Sequence, residues 1–123
     1  MSQRPPILIV REPLPRSKVE EYAHAWFGDM VKIVTDVGRR ALTLGGELHA
    51  DGEQLLLSDG SRQEDLWGAN VFPFRPTTSR LEFTALINIR PSQSNRTMEV
   101  QNPTLRETIR SIVEALLPTG VVP

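Results

Sequence analysis

Residues 30–46, MVKIVTDVGRRALTLGG, contain the pattern that decides the fold. Some of their apolar residues are spaced as on one face of a helix, but residues 31–37 are rich in β-branched side chains, which favour strands. Residues 37–39, VGR, are typical of a turn, and residues 41–44 supply a return strand. We therefore predict a β-hairpin, closed by the glycine pair at 45–46.

A strand and a helix are predicted ahead of this hairpin. Residues 7–11, ILIVR, form a short apolar run between prolines. Ser17 and Glu20 have the spacing of a capping box, in which two side chains satisfy the first free amides of a helix. Gly28 is placed to end that helix in the left-handed conformation. The apolar stripe of the helix consists of Val19, Tyr22, Ala23 and Trp26.

Two strands and two helices are predicted after the hairpin. Residues 47–58 favour a helix, although Asp-Gly at 51–52 is also typical of a hairpin turn. Residues 65–74 predict a strand, and the alternating residues 81–89, LEFTALINI, predict a longer one. Asn102 followed by Pro103 is typical of the start of a last helix.

The elements follow the order β-α-β-β-α-β-β-α in a single domain over residues 1–123, with residues 1–6 and 119–123 as frayed tails. This order predicts the α+β class, with an antiparallel or mixed sheet and the helices packed on one face. The first six elements match a ferredoxin-like unit, extended by one strand and one helix.

The composition excludes several classes of protein. The absence of cysteine excludes disulfides, cysteine-ligated zinc and thiol catalysis. With no signal peptide and no apolar run long enough to span a membrane, we expect a soluble, cytoplasmic protein without a membrane partner. The net charge of −1 argues against nucleic-acid binding. The charge is nevertheless segregated into +3 over residues 1–18, −5 over residues 45–66 and +3 over residues 75–110.

Three polar runs mark places where functional groups would gather, at residues 45–51, 60–70 and 88–96. Their stretches GGELHAD, QEDLWG and INIRPSQ resemble those of a small family of uncharacterised bacterial proteins. The resemblance covers most of the chain. Because that family carries only an unknown-function label, the resemblance implies the extent of the domain and no catalytic residue.

The first run contains groups suited to acid–base or metal chemistry. His49 could act as a general base oriented by Asp51 or Asp36. His49 and Glu53 would share a helix face as weak candidate metal ligands, but no second histidine is near, and we predict neither metal nor cofactor. Solvated acids at a helix start explain the same residues without a site. The candidate catalytic residues of a hydrolase are Glu47, His49, Asp51, Asp36 and Glu64.

Asp36 also interrupts an apolar strand, where a carboxylate needs a partner. We predict an ion pair with an arginine of a neighbouring strand, such as Arg90. Trp67 beside Gly68 fits a core position under a close crossing of the backbone. Phe72 and Phe74 fit an exposed apolar patch suited to self-association.

The third run offers many hydrogen-bond donors at the end of a strand. They could clamp a phosphate or a carboxylate, or they could hold a long loop through its own backbone. The candidate ligand-binding residues are Asn88, Arg90, Gln93, Asn95, Arg96, Trp67 and Asn70.

The sequence favours a small binding module that recognises an anionic ligand or a protein partner through the loop at 88–96, and it leaves a homo-oligomer open. The alternatives are a metal-assisted or acid–base hydrolase and a structural subunit of an assembly. We expect a site where the acidic middle of the chain meets the arginines of residues 90–96.

Overall fold

A computed structural model describes residues 4–118, so most of the predicted tails lie outside the described residues. The α+β class and the predicted order of elements are confirmed. The strands are β1 (Leu8–Val10), β2 (Val31–Asp36), β3 (Ala41–Leu44), β4 (Leu66–Val71) and β5 (Leu81–Glu82). The helices are α1 (Arg16–Trp26), α2 (His49–Ser58) and α3 (Pro103–Leu116), and short 3-10 turns occupy Gln63–Asp65, Leu86–Asn88 and Pro91–Gln93.

The predicted hairpin is confirmed, and it forms the centre of the sheet. β2 and β3 pair antiparallel, with Ile33 opposite Leu44 and Asp36 opposite Ala41. The strand order is β1-β3-β2-β4-β5, and every neighbouring pair is antiparallel. A ferredoxin-like unit places its fourth strand beside its first, whereas β4 pairs with β2 here, so that part of the prediction is wrong.

Helices cover both faces of the sheet, whereas the sequence predicted one face. α1 and α3 pack on the side of Ile33, and α2 packs on the side of Val34. Consecutive strand residues point to opposite faces, and residues on both faces of β2 are buried. A sheet buried on both faces requires a layer on each side, so the single-face prediction is wrong.

The long strand predicted at residues 81–89 is wrong beyond Glu82. The chain pairs with β4 for two residues and then forms the 3-10 turn Leu86–Asn88, in which Leu86 is 71% exposed. The side chain of Asn88 takes over the edge of β4 there. Its Oδ1 accepts a hydrogen bond from the Gly68 amide at 2.8 Å, and its Nδ2 donates to the Gly68 carbonyl at 2.9 Å.

The helix boundaries show one wrong prediction and two confirmed ones. The capping box is wrong because α1 begins at Arg16, before Ser17, and Glu20 pairs with Arg16 at 2.9 Å. Gly28 ends α1 with a φ of +90°. Asn102 caps α3, its side chain accepting from the amides two and three residues further on.

Candidate functional site

An apolar cleft of about 370 Å³ opens on the α2 side of the sheet. Its lining comes from Met30 and Lys32, from residues 48–50 at the start of α2, from Asn70 on β4, from residues 84–87 and from Met98. Five separate segments therefore converge on one depression.

Gly68 allows two residues of the cleft lining to pack closely against β4 because it has no side chain. A Cβ at this position would lie 2.6 Å from Cβ of Ala85 and 3.1 Å from Cδ2 of His49. Both distances are shorter than ordinary van der Waals contact. The missing side chain thus lets both α2 and the segment at 84–87 lie close to β4 at Gly68.

His49 is held by the backbone of β4. Its Nε2 lies 2.9 Å from the carbonyl oxygen of Ala69. A carbonyl oxygen only accepts hydrogen bonds, so Nε2 carries the proton and donates. Burial lowers the pKa of His49 and Lys32 lowers it further, against the Ala69 hydrogen bond and the Asn70 amide, which raise it. The imidazole in the cleft is therefore neutral at pH 7.

Two further polar groups line the cleft. Asn70 donates from Nδ2 to the carbonyl of Thr84 at 3.3 Å, while its buried Oδ1 has no hydrogen-bond partner among the described residues. Lys32 donates from Nζ to the carbonyl of Glu47 at 2.7 Å and lies over the ring of Phe27. The cleft is thus largely apolar, and its polar side chains include an imidazole, an amide and an ammonium group.

Two buried asparagines hold the loop at 88–96, which connects the cleft residues 84–87 to Met98. Asn88 also donates to the carbonyl of Met98 at 3.1 Å. The Nδ2 group of Asn95 lies within hydrogen-bond distance of three carbonyls, the nearest being that of Asn88 at 2.7 Å. Its Oδ1 accepts from the amide of Gln101 at 2.9 Å. Both side chains therefore bond to the loop's own backbone, one of the two roles that the sequence left open for them.

Arg90 is engaged within the chain as well. Its guanidinium stacks on the ring of Trp67 at 3.8 Å and donates to the carbonyls of Gln63, at 2.6 Å, and of Leu66. Burial lowers the pKa of Arg90, against the raising effect of Glu53. The side chain that was expected to clamp an anion thus ties the loop to the start of β4.

Asp36 pairs with its own turn and not with Arg90, so that pairing prediction is wrong. The buried carboxylate accepts from the hydroxyl of Ser61 at 2.6 Å and from the amides of Gly38, at 3.0 Å, and Arg39, at 2.9 Å. The guanidinium of Arg39 lies 4.0 Å away. The hairpin turn supplies Gly38 and Arg39, and the segment after α2 supplies Ser61, so no arginine from β4 or beyond is needed.

The remaining candidates are dispersed. Glu47 and Asp51 are exposed beside the half-buried His49, and Glu53 is half-buried further along α2. Glu64 pairs with Arg62 at the surface. In residues 4–118 no three histidine, aspartate or glutamate side chains converge as a metal site. A second depression, of about 320 Å³, does gather several predicted residues, among them Glu64, Trp67, Gln93 and Asn95.

Sequence reasoning missed the apolar residues of the first cleft. Leu48, Leu86 and Met98 line it and are exposed. The sequence contained one indication of this cleft. In the alternating segment 81–89, Leu86 occupies a position of the set that otherwise carries the polar residues Glu82 and Thr84. An apolar residue in the polar phase of such a pattern indicates a surface with a purpose other than solvation.

A family model described as a protein of unknown function, DUF5674, matches residues 8–116. The chain belongs to this family. The match extends from β1 to the end of α3, so it includes every element that lines the cleft. No curated protein and no solved structure shows significant similarity to the chain. No helix in the described part is long and apolar enough to cross a membrane.

Proposed function

We propose that this DUF5674 protein is a binding module whose apolar cleft accepts an apolar group of a partner molecule. One observation carries the proposal. Of the six large apolar side chains exposed in residues 4–118, three line this single cleft. Scattered exposed apolar residues are ordinary, but convergence on one concave site is typical of binding surfaces. The three are Leu48, Leu86 and Met98.

The chemistry of the lining supports an apolar guest with an anionic end. The neutral imidazole of His49 adds no charge to the interior of the cleft. Met30 and Met98 have flexible thioether side chains that adapt to guests of different shape. Lys32 is the cationic group in the lining, and its ammonium favours a guest that carries a negative charge beside its apolar body.

The proposal keeps the binding module predicted from the sequence. It changes the role of the loop at 88–96 from contacting the ligand to positioning the wall of the cleft. Asn88, Asn95 and Arg90 position the wall of the cleft, as their internal hydrogen bonds support. Arg96 is exposed and has no side-chain hydrogen bond within residues 4–118, so direct anion contact at Arg96 stays a prediction. Bacterial origin and a cytoplasmic location also stay predictions.

The test uses anilinonaphthalene sulfonate, a fluorescent probe with an aromatic body and a negative charge. We expect saturable binding to the folded protein at the lowest protein concentration that fluorescence allows. Ala50→Phe fills the cleft from the exposed start of α2 and should weaken binding by about tenfold or more, because the probe loses buried apolar contact.

Ala115→Phe is the matched control, since Ala115 is an exposed alanine on α3, away from the cleft. It should leave the dissociation constant unchanged. Equal loss of binding in both variants, or binding that does not saturate, would contradict the proposed site.

A further inference from the structure

We infer that the apolar group taken by the cleft is Leu86 of a second copy of this chain, so that two copies exchange Leu86 side chains across a two-fold axis. The inference rests on the proposed function, and it names the partner. Its evidence is the placement of Leu86, the symmetry that this placement allows, and the charges around the cleft.

Leu86 is a fixed apolar projection. It is the most exposed of the large apolar residues in the described chain, at 71%. Hydrogen bonds hold the 3-10 turn that carries it at both ends. The Ala85 amide donates to the Met98 carbonyl at 3.0 Å, and the Asn88 side chain forms hydrogen bonds with the backbone of Gly68. A rigid projection loses little conformational entropy when it enters a site, so it suits binding.

The projection and the cleft are adjacent, and this adjacency favours a symmetric pair. Leu86 forms part of the wall of the cleft that it would fill in another copy. In a two-fold interface the same patch meets itself, so each contact occurs twice. A rotation that places one Leu86 in the opposite cleft therefore places the other Leu86 as well, and the contact closes without leaving a free cleft.

The charges near the cleft are also complementary to themselves. Lys32 has no carboxylate partner among the described residues, and the carboxylate of Glu47, next to the cleft residue Leu48, has no cationic partner there. A two-fold contact through the cleft places Lys32 and Glu47 of both copies in one interface, where opposite charges of different copies attract. A net charge of −1 leaves little repulsion between copies.

Sedimentation velocity over a wide concentration range tests the inference. The native protein should form a dimer that dissociates on dilution, and Leu86→Glu should weaken the dimer by at least about tenfold, since it puts a charge into an apolar cleft. Phe74→Glu removes another exposed apolar side chain outside the cleft and should leave the dimer as strong as in the native protein. A native protein that is monomeric throughout, or a dimer weakened by Phe74→Glu and not by Leu86→Glu, overturns the inference.

Probe binding by the native protein separates this inference from the proposed function. Diluted until the dimer dissociates, the native protein should bind anilinonaphthalene sulfonate in the cleft, and the probe bound per chain should fall at high protein concentration, where Leu86 of the second copy fills the cleft. Probe binding by a native protein that never dimerises would overturn the second-copy partner and retain the cleft as a binding site. Absence of probe binding by the dissociated native protein would count against the proposed function itself.

Disulfide cross-linking tests the geometry of the pair directly. The chain has no cysteine of its own, so no native thiol competes with the introduced ones. A mixture of Leu86→Cys and Ala50→Cys copies should form the mixed disulfide under mild oxidation, since the inference places these residues within bonding range. Leu86→Cys mixed with Ala115→Cys should not. Equal yields in the two mixtures would overturn the arrangement.

Discussion

At the scale of single residues, Asn88 provides with one side-chain amide what a neighbouring strand would provide with its backbone. A primary amide offers an acceptor and a donor side by side. The Gly68 amide donates to the first and the Gly68 carbonyl accepts from the second, both at normal hydrogen-bond lengths. The sequence could not predict this role. A polar residue in an alternating segment is expected on the wet face, and nothing local distinguishes a buried asparagine from a solvated one.

Asn88→Asp tests the role of this amide. The variant loses the donor to Gly68 and Met98 and places a carboxylate among buried carbonyl oxygens, so we expect the free energy of unfolding to fall by about 3 kcal/mol. Urea denaturation measures it. Asn102→Asp is the control, because aspartate caps a helix as well as asparagine does and should change stability by less than about 0.5 kcal/mol. Equal stability of both variants would contradict the assignment.

At the scale of elements, α2 lies close to the sheet because Gly52 faces it. A Cβ at this position would lie 2.5 Å from Oγ1 of Thr43 and 3.1 Å from Cγ2 of Val34. The sequence predicted α1, α3 and the hairpin from stripes, an N-cap and a β-branched run, which are local signals. It favoured a helix over residues 47–58, which α2 confirms, but it could not explain Gly52, because the reason for this glycine lies on a different element.

Gly52→Ala sets helix propensity against packing. Alanine favours the helix by about 1 kcal/mol over glycine, yet its methyl group collides with a buried threonine. We expect a net loss of about 1–2 kcal/mol in the free energy of unfolding, measured by urea denaturation. Gln54→Ala, at an exposed position of the same helix, should be near neutral. A stabilised Gly52→Ala variant would show that α2 has room to move away from the sheet.

At the scale of the whole molecule, the charge segregation seen in the sequence becomes contact between distant segments. Asp59 of the acidic middle pairs with Arg11 from the basic start of the chain and with Arg39 at 2.8 Å. The acidic middle of the chain thus meets its basic start in the fold. The two faces of the sheet could not be predicted, because the layer on which each helix packs depends on how all the strands align.

The stability of the molecule should depend on pH through His49. Its pKa is lower in the folded protein than in the unfolded chain, so the unfolded chain binds the proton first. The free energy of unfolding should therefore decrease as the pH falls from about 7 through the folded pKa, and be constant above that range. The lowered pKa of Asp59, caused by Arg39 and Arg11, acts separately, below about pH 4.

Urea denaturation at several pH values measures this dependence. His49→Gln can still donate to the Ala69 carbonyl, and it should lose the slope that begins below about pH 7. His24→Gln, which removes the other histidine, an exposed one on α1, gives the comparison. Retention of the full slope in His49→Gln would show that burial of this imidazole does not govern stability in acid.

The shortness of the two outer strands has a consequence for aggregation. β1 has three residues and lies between prolines, which have no amide hydrogen, and β5 has two. Fibrils grow when an open strand edge accepts a strand from another molecule. This sheet presents almost no such edge, since the amide of Asn88 occupies the part of β4 that β5 leaves open. Contact between copies through side chains would therefore give a closed dimer, whereas contact through strand edges would add further copies and build a fibril.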